Sequence, residues 1–190
     1  MAGAPRQPAR LGEAALIIID AQREYRDGAL PLAGIDAALD VIHELLNIAR
    51  VDGTPIVHIA HKGRPGGLFD RDGEGGRFLD QAMPIAGERV IEKGLPNAFA
   101  GTDLKQQLDA IGRGKLIVAG FMTHMCVSAT VRAALDFGFA STVIADAVAT
   151  RDLPDALGGE VIPAGRLNAV ELAALADRFA IVAPLSAISA

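Results

Sequence analysis

The amino-acid sequence predicts an α/β fold in which helices cover both faces of a six-stranded, mainly parallel sheet. Short apolar runs, typical of strands buried on both faces, alternate with segments in which apolar residues repeat every three or four positions. Hydrophobic residues make up 51% of the chain and charged residues 22%, which is enough for a large core. The alternation implies right-handed crossovers between parallel strands.

Six strands are predicted from the apolar runs, each bounded by turn residues or charges. The first run, Ala14–Ile19, is entirely apolar and ends at Asp20, as expected for a central parallel strand. The fourth strand is predicted to end at Gly120 and the fifth at Asp146. The remaining strands are predicted at Pro55–Ala60, Arg89–Glu92, Lys115–Ala119, Ser141–Ala145 and Ala180–Ala183.

Four helices are predicted where apolar residues recur at helical spacing. Asp52-Gly53 ends the first helix and Gly138 the third, while Thr102 or Asp103 caps the second. The helices are predicted at Ile35–Ala49, Leu104–Ile111, Val127–Leu135 and Leu167–Arg178.

The segment from His61 to Glu88 has no helical or strand period. It is rich in glycine and carries Arg64, Arg71 and Arg77. Loops of this length in a compact domain are usually lids, binding loops or disordered segments. We therefore expect this segment to belong to the substrate site or to the surface.

The chain is predicted to form one domain across residues 1–190, with residues 1–12 as a loose tail rather than a signal peptide. The net charge of −5 and the lack of a basic block argue against nucleic acid as a partner. No apolar stretch is long enough for a membrane-spanning helix. The one cysteine excludes an internal disulfide and fits a reducing compartment, so a cytoplasmic location is predicted.

The segment Gly120–Val127 carries the strongest chemical signal in the sequence. A buried strand ends at Gly120, the chain turns tightly, and Cys126 lies at the first turn of the next predicted helix. The N–H groups and partial positive charge of a helix N-terminus favour the thiolate, the nucleophilic form of cysteine. A free cysteine is also commonly a small buried hydrophobic residue, so this segment alone leaves both interpretations open.

Two charged residues follow the ends of other predicted strands. Asp20 follows Ala14–Ile19, and Lys93 follows Arg89–Glu92. Taken alone, Asp20 is equally well explained as a turn residue and Lys93 better explained as a surface lysine. Ligands of open parallel sheets bind at the carboxyl ends of the strands, however, so Asp20, Lys93 and Cys126 are predicted to converge. Together they supply a proton acceptor, a cation and a nucleophile.

In this order, the segments resemble the motifs of the isochorismatase-like hydrolases, also called cysteine hydrolases. The resemblance runs from about Ala14 to Val182. The residues that carry it are Leu16–Gln22 with Tyr25, Glu92-Lys93 with Ala98-Phe99 and Gly101–Leu104, Gly120–Val127 with Thr130 and Ala133, and Asp146-Ala147 with Arg151-Asp152.

The resemblance implies a three-layer α/β/α, Rossmann-like fold around a six-stranded parallel sheet, and it implies roles for the three residues. Cys126 attacks a carbonyl carbon, Asp20 takes the thiol proton and returns it later, and Lys93 orients Asp20 and favours the thiolate. The helix N-terminus and Lys93 together predict a thiol pKa below the usual value of about 8.5.

The resemblance also implies an oxyanion hole and a substrate pocket. A cis peptide bond between Phe121 and Met122 is expected, aiming the backbone N–H groups of Met122 and Cys126 at an oxyanion. Aromatic and polar side chains near the three motifs are candidates for the substrate-binding wall. These are Tyr25, Phe99, Phe121 and His124.

One departure concerns metal binding. Nicotinamidases of this family bind a metal through an Asp-x-His pair and a further histidine after the second strand. The corresponding segment here contains His58 and His61 with no carboxylate between them, and this spacing on a strand points the side chains to opposite faces. We therefore interpret them as ordinary polar residues and expect no metal or other cofactor.

The leading hypothesis is a hydrolase that cleaves an amide or related C–N bond of a small molecule through a thioester intermediate. A first alternative is isochorismatase-type cleavage of a vinyl ether, which needs an acid at Asp20 but no nucleophile. A second is a non-catalytic binding protein of the same fold. The expected partners are a small-molecule substrate and further copies of the chain, as a homo-oligomer that is a dimer or tetramer, with no nucleic acid and no membrane.

Overall fold

The computed structural model describes residues 7–188, which form ten regular elements in the predicted order. The strands are β1 (Ala14–Ile19), β2 (Ile56–His61), β3 (Arg89–Lys93), β4 (Lys115–Phe121), β5 (Ala140–Ala149) and β6 (Ala180–Ala183). The helices are α1 (Ile35–Asp52), α2 (Leu104–Ile111), α3 (Ser128–Asp136) and α4 (Ala164–Arg178). Every predicted strand and helix is therefore present.

The six strands form one sheet in the order β3-β2-β1-β4-β5-β6, and each neighbouring pair is parallel. The chain builds the sheet outward from β1 to β3 and then crosses back to place β4 on the other side of β1. The carboxyl ends of β1 and β4 therefore lie at the topological switch point, where open α/β sheets bind their ligands.

Helices cover both faces of the sheet, as the sequence predicts. Leu16 and Ile18 of β1 pack in one apolar cluster with α1, whereas Ile17 and Ile19 pack in a second cluster with α2 and α3. Successive side chains of a strand point to opposite faces, which explains why β1 has to be apolar at every position. The three-layer α/β/α arrangement is confirmed.

The central strands run further than the sequence predicts. β4 continues through Gly120 to Phe121, and β5 continues past Asp146 to Ala149. Gly120 has a φ of 114°, and a Cβ there would lie 2.0 Å from the carbonyl oxygen of Ile19. This glycine is therefore required by the close approach of β4 to β1 and does not end the strand.

The prediction of a loose tail over residues 1–12 is wrong for its described part. Leu11 is buried and begins a short 3₁₀ turn, Leu11–Glu13. The backbone N–H of Ala9 donates a hydrogen bond to Thr142 Oγ1 of β5 at 3.0 Å. A buried leucine and a backbone hydrogen bond thus hold this segment on the domain, and residues 1–6 lie outside the described residues.

The glycine-rich segment between β2 and β3 is an ordered loop that contains short 3₁₀ turns at Glu74–Gly76 and Asp80–Ala82. The buried side chain of Gln22 donates hydrogen bonds to the carbonyl oxygens of His61 and Gly76, both at 2.9 Å. A Cβ at Gly76 would lie 2.0 Å from the carbonyl oxygen of Asp70, so the segment folds closely on itself. No helix in residues 7–188 is long and apolar enough to cross a membrane.

A partly buried network joins α1, β2 and the residue before β3. Glu88 accepts hydrogen bonds from Arg50 Nε and pairs with His58 Nε2, each at 2.8 Å, and the His58 side chain has no exposed surface. Burial acts to raise the pKa of Glu88, but the hydrogen bonds from Arg50, the backbone of Ile85 and His58 outweigh it and lower the pKa to about 2.

We expect Glu88→Ala to lower the free energy of unfolding at pH 7 by about 3 kcal/mol, because it leaves Arg50 and the buried His58 without their acceptor. Since the folded-state pKa is lowered, this stabilisation is complete above the ordinary pKa of 4.5 and is lost as the pH falls towards 2. Urea unfolding at several pH values measures both effects. The exposed pair partner Glu74 supplies the control variant, Glu74→Ala. Equal effects of the two variants at pH 7 would contradict the assignment.

Candidate active site

Asp20, Lys93 and Cys126 meet at the carboxyl edge of the sheet. Lys93 Nζ lies 2.7 Å from Asp20 Oδ2 and 3.3 Å from Cys126 Sγ. The three residues are almost completely buried, with exposed fractions of 0%, 2% and 3%. The structure therefore brings together the three side chains that the sequence selects, although they come from the ends of three different strands.

Each member of this trio is held by the end of a different strand. Asp20 follows β1 in the left-handed region, with φ of 49°, and its backbone N–H donates to the carbonyl oxygen of Ile59 at 2.9 Å. Lys93 is the last residue of β3 and extends across the end of β2. A non-glycine residue at positive φ is costly and is usually found where a site requires it.

Cys126 lies in a π-helical turn, Thr123–Val127, which joins β4 directly to α3 and is called here the cysteine turn. The carbonyl oxygen of Met122 accepts the N–H groups of Met125 at 3.1 Å and Val127 at 3.2 Å. The peptide bond between Phe121 and Met122 is cis. The sequence places Cys126 at the first turn of a helix, and the structure differs only in that this turn is of the wider π type.

The buried Cys126 thiol is neutral at pH 7. Burial and the negative charge of Asp20 raise the pKa of Cys126 to about 12, and the opposing effect of Lys93 is smaller. The prediction of a lowered thiol pKa is therefore wrong, because it left out burial, the largest cause, and gave the helix and the lysine more weight than the adjacent carboxylate.

Asp20 is a stronger base than an exposed aspartate. Burial raises its pKa, against the opposing effect of the Lys93 ammonium group. Its Oδ2 is bound by Lys93, whereas Oδ1 is buried and accepts no hydrogen bond from an N–H or O–H donor of residues 7–188. One carboxylate oxygen is thus anchored and the other remains to accept a proton.

His61 belongs to the site, although the sequence analysis treats it as an ordinary polar residue. Its Nδ1 lies 3.4 Å from Lys93 Nζ, and its half-buried ring packs against Phe69 with centroids 5.2 Å apart. Burial and the Lys93 charge lower the pKa of His61, so its ring is neutral at pH 7. The rule that selected Asp20 also applies to His61, because this residue ends the strand next to β1.

An aromatic wall lies beside the trio. The Tyr25 ring contacts Phe69 edge-on at 4.9 Å and Phe121 at 6.2 Å between centroids. Burial, followed by the negative charge of Asp20, raises the pKa of Tyr25, so the phenol stays neutral. Phe69 has a φ of 56° and comes from the glycine-rich segment, where no local sequence pattern pointed to it.

The other predicted pocket residues have different surroundings. Phe121 is fully buried behind Tyr25. Phe99 instead packs against Phe137 and Phe139, with centroids 5.0 and 6.2 Å away, so the structure does not bring it into the group around Tyr25. His124 is half-buried in the cysteine turn and hydrogen-bonds to the Thr150 hydroxyl. Their roles in substrate binding stay predictions.

His58 and His61 face different surroundings, as their spacing on β2 predicts. His58 pairs with Glu88, whereas His61 lies beside Lys93. Across residues 7–188, no group of three or more His, Cys, Asp or Glu side chains is arranged to hold a metal ion. That activity needs no metal stays a prediction.

Comparison with known proteins identifies relatives along nearly the whole chain. The isochorismatase domain model matches residues 14–182. The secreted isochorismatase effector Isc1 of Verticillium dahliae is 37% identical over 180 residues, which cover 94% of this chain and 92% of that protein. Maleamate amidohydrolase of Pseudomonas putida is 32% identical over 154 residues, covering 72% of each chain.

A solved structure of the same family has the same fold as this chain. The crystal structure of an isochorismatase from Pseudomonas putida KT2440 matches with a TM-score of 0.93 and 49% sequence identity, covering 96% of this chain and 93% of that one. The resemblance inferred from the motifs is thereby confirmed.

Proposed function

Because this chain belongs to the isochorismatase family of hydrolases, we propose that it cleaves an amide or related C–N bond of a small molecule through a thioester on Cys126. The supporting observation is the position of Lys93, whose ammonium group lies within hydrogen-bond distance of both Asp20 and Cys126. A nucleophile, a base and a cation in mutual contact are the parts that acyl transfer requires.

The first half-reaction transfers the acyl group to sulfur. Asp20 Oδ1 takes the proton from Cys126 Sγ as the sulfur attacks the substrate carbonyl carbon, so the carbonyl becomes a tetrahedral oxyanion. The C–N bond then breaks, and Asp20 returns the proton to the leaving nitrogen. Because the resting thiol has a pKa of about 12, the thiolate forms only as the new C–S bond forms.

The second half-reaction frees the acid. Asp20 takes a proton from water as the water oxygen attacks the thioester carbon, the C–S bond breaks, and the sulfur regains the proton. Lys93 keeps its hydrogen bond to Asp20 and stabilises negative charge on sulfur in both halves. The backbone N–H groups of Met122 and Cys126 are the proposed donors to the oxyanion, since both belong to the segment around the cysteine turn.

The relatives support amide chemistry as the first hypothesis. Maleamate amidohydrolase is by its name an enzyme that hydrolyses an amide, and it shares 32% of its residues with this chain over the aligned region. Vinyl-ether hydrolysis is the second candidate, because the solved relative is named an isochorismatase. That reaction needs only an acid at Asp20. It gives no catalytic role to Cys126 or to its contact with Lys93.

A substrate screen with the purified protein tests the proposal. Small primary amides, ureides and isochorismate are offered at equal concentration, and the release of ammonia or pyruvate is followed. We expect ammonia from at least one amide or ureide and no turnover of isochorismate. Pyruvate release from isochorismate, with every amide and ureide unchanged, would favour the vinyl-ether candidate instead.

We further propose that the protein is a homo-oligomer, a dimer or a tetramer. Large apolar side chains remain exposed before and within α4, where Leu157 is 97% exposed and Val161 and Val170 are each 59% exposed. A second copy that covers this surface would remove it from water. Light scattering at micromolar concentrations is expected to give a multiple of the 19.7 kDa chain mass, and a monomer mass across that range would contradict the proposal.

A further inference from the structure

The loop between β5 and α4 forms a short hairpin that displays a leucine to solvent. Leu153 and Ile162 pair as an antiparallel bridge, with N–H to carbonyl distances of 3.1 and 2.8 Å. Residues 156–161 between them are all exposed, and Leu157 has an exposed fraction of 97%. This leucine contributes nothing to the packing of its own domain and is therefore available to a partner.

The turn at the tip of the hairpin holds Leu157 in a fixed position. The backbone N–H of Leu157 donates to Asp155 Oδ1 at 2.9 Å. The backbone N–H of Gly158 donates to the carbonyl oxygen of Asp155 at 3.1 Å, and Gly158 has the positive φ, 86°, that this turn requires. Because the backbone beneath it is already ordered, Leu157 loses little conformational entropy when a partner covers it.

An open groove of about 560 Å³ lies between the base of this hairpin and the first turns of α4. Only two of the fifteen residues of α4 are buried, so the outer side of the helix is uncovered. Leu157 does not line the groove of its own chain, and both features remain in water. The apolar walls of the groove come from the hairpin and from the helix, and they are Val161, Ile162, Leu167 and Val170.

Charged side chains of both signs border the groove. Glu160 and Arg166 line it and are exposed, and neither forms an ion pair with another residue of the described chain. In a two-fold dimer, a contact between Glu160 of one copy and Arg166 of the other occurs twice. The chain therefore carries an exposed leucine, an apolar groove and complementary charges in one segment, which is what a self-complementary surface needs.

We propose that two copies of this chain dimerise by exchanging Leu157, each copy placing this side chain in the groove of the other. The inference rests on the proposed homo-oligomer and specifies its interface. Leu157 and the groove belong to one hairpin and the helix that follows it, so a single two-fold axis brings both leucines to both grooves and closes the assembly. Each copy then covers two apolar surfaces that its own fold leaves in water.

Light scattering of the whole protein at micromolar concentrations tests this interface in the variant Leu157→Asp. The change removes the apolar contact and brings a charge to the groove, so we expect the dimer Kd to rise at least about a hundredfold. The measured mass should then fall to half that of the wild type or less. Val170→Asp, which alters the groove instead of the leucine, should have the same effect.

Val51→Asp is the matched control, because Val51 is 91% exposed near the end of α1 and does not line the groove. It exchanges an exposed apolar side chain for the same charge and should keep the wild-type mass. Circular dichroism of the three variants checks that each one is folded.

An equimolar mixture of Leu157→Asp and Val170→Asp tests the exchange itself. One variant supplies an intact groove and the other an intact leucine, so their heterodimer keeps one of the two contacts. The mixture should therefore have a higher average mass than either variant alone at the same total concentration. No gain on mixing would show that Leu157 and Val170 are not partners across the interface.

Two further outcomes would overturn the inference while leaving the homo-oligomer intact. An oligomeric wild type with an unchanged mass in Leu157→Asp would show that the copies associate through another surface. Equal dissociation of Val51→Asp would show only a general effect of net charge. A monomeric wild-type protein would instead contradict the homo-oligomer and the inference together, whereas the proposed hydrolysis is tested separately by the substrate screen.

Discussion

Cys126→Ser is expected to lower kcat/KM for amide hydrolysis at least about a thousandfold while leaving the fold intact. A serine hydroxyl is less acidic than the thiol. Its deprotonation in a buried site next to the Asp20 carboxylate therefore has a higher free-energy barrier than that of Cys126. The side chains are similar in shape, so the free energy of unfolding should change little. Steady-state kinetics and urea unfolding of the same preparation separate the two effects.

Met125→Leu is the matched control, because Met125 is an exposed neighbour of Cys126 in the cysteine turn. It should keep turnover within about twofold, since a volume-conserving change at the surface has little effect. Retention of a tenth of wild-type turnover by Cys126→Ser would favour a mechanism that needs only the acid.

Asp20→Asn is expected to reduce turnover by about a thousandfold and, in the same protein, to move the alkylation profile of Cys126 to lower pH. Asp20 raises the thiol pKa because a carboxylate disfavours a second negative charge beside it. Asparagine removes that charge and leaves the Lys93 ammonium group to favour the thiolate. The variant should therefore alkylate faster than wild type at pH 7 although it cannot turn over substrate.

Lys93→Met is expected to move the alkylation profile of Cys126 in the opposite direction, to higher pH. Without the ammonium group the thiol pKa rises, so alkylation should require a higher pH than in the wild type. Lys62→Met is the control, because Lys62 is an exposed lysine on the same edge that pairs with Glu92. The rates of iodoacetamide labelling from pH 6 to pH 10 measure all three variants. If the profile of Asp20→Asn coincides with that of the wild type, Asp20 is not the neighbour that controls the thiol.

The fold could be predicted from the sequence because its strands are buried on both faces. A run such as Ala14–Ile19 is apolar at every position, and such a run fits a parallel strand that is covered by helices on both faces. The boundaries were less predictable at Gly120 and Asp146, which look like strand ends. Gly120 is required by the approach of β1, and the Asp146 carboxylate accepts the backbone N–H of Leu185 at 3.0 Å, so both remain within strands.

The trio could be predicted from the rule that strand ends converge at a switch point, but its electrostatics could not. The pKa of Cys126 depends above all on how deeply the thiol is buried, and no local sequence pattern encodes that depth. Phe69 is likewise placed by the folding of the glycine-rich segment on Tyr25.

In the proposed mechanism Cys126 carries the acyl group. The most direct test of this mechanism is acid quenching of the protein during steady-state turnover of the best amide from the screen, followed by mass spectrometry of the peptide that contains Cys126. We expect a fraction of this peptide to be heavier by the mass of the acyl group; this fraction disappears when substrate is exhausted and never forms in Cys126→Ser. Turnover at the full rate with Cys126 unmodified at every quench time, and with the same rate in Cys126→Ser, would contradict the mechanism.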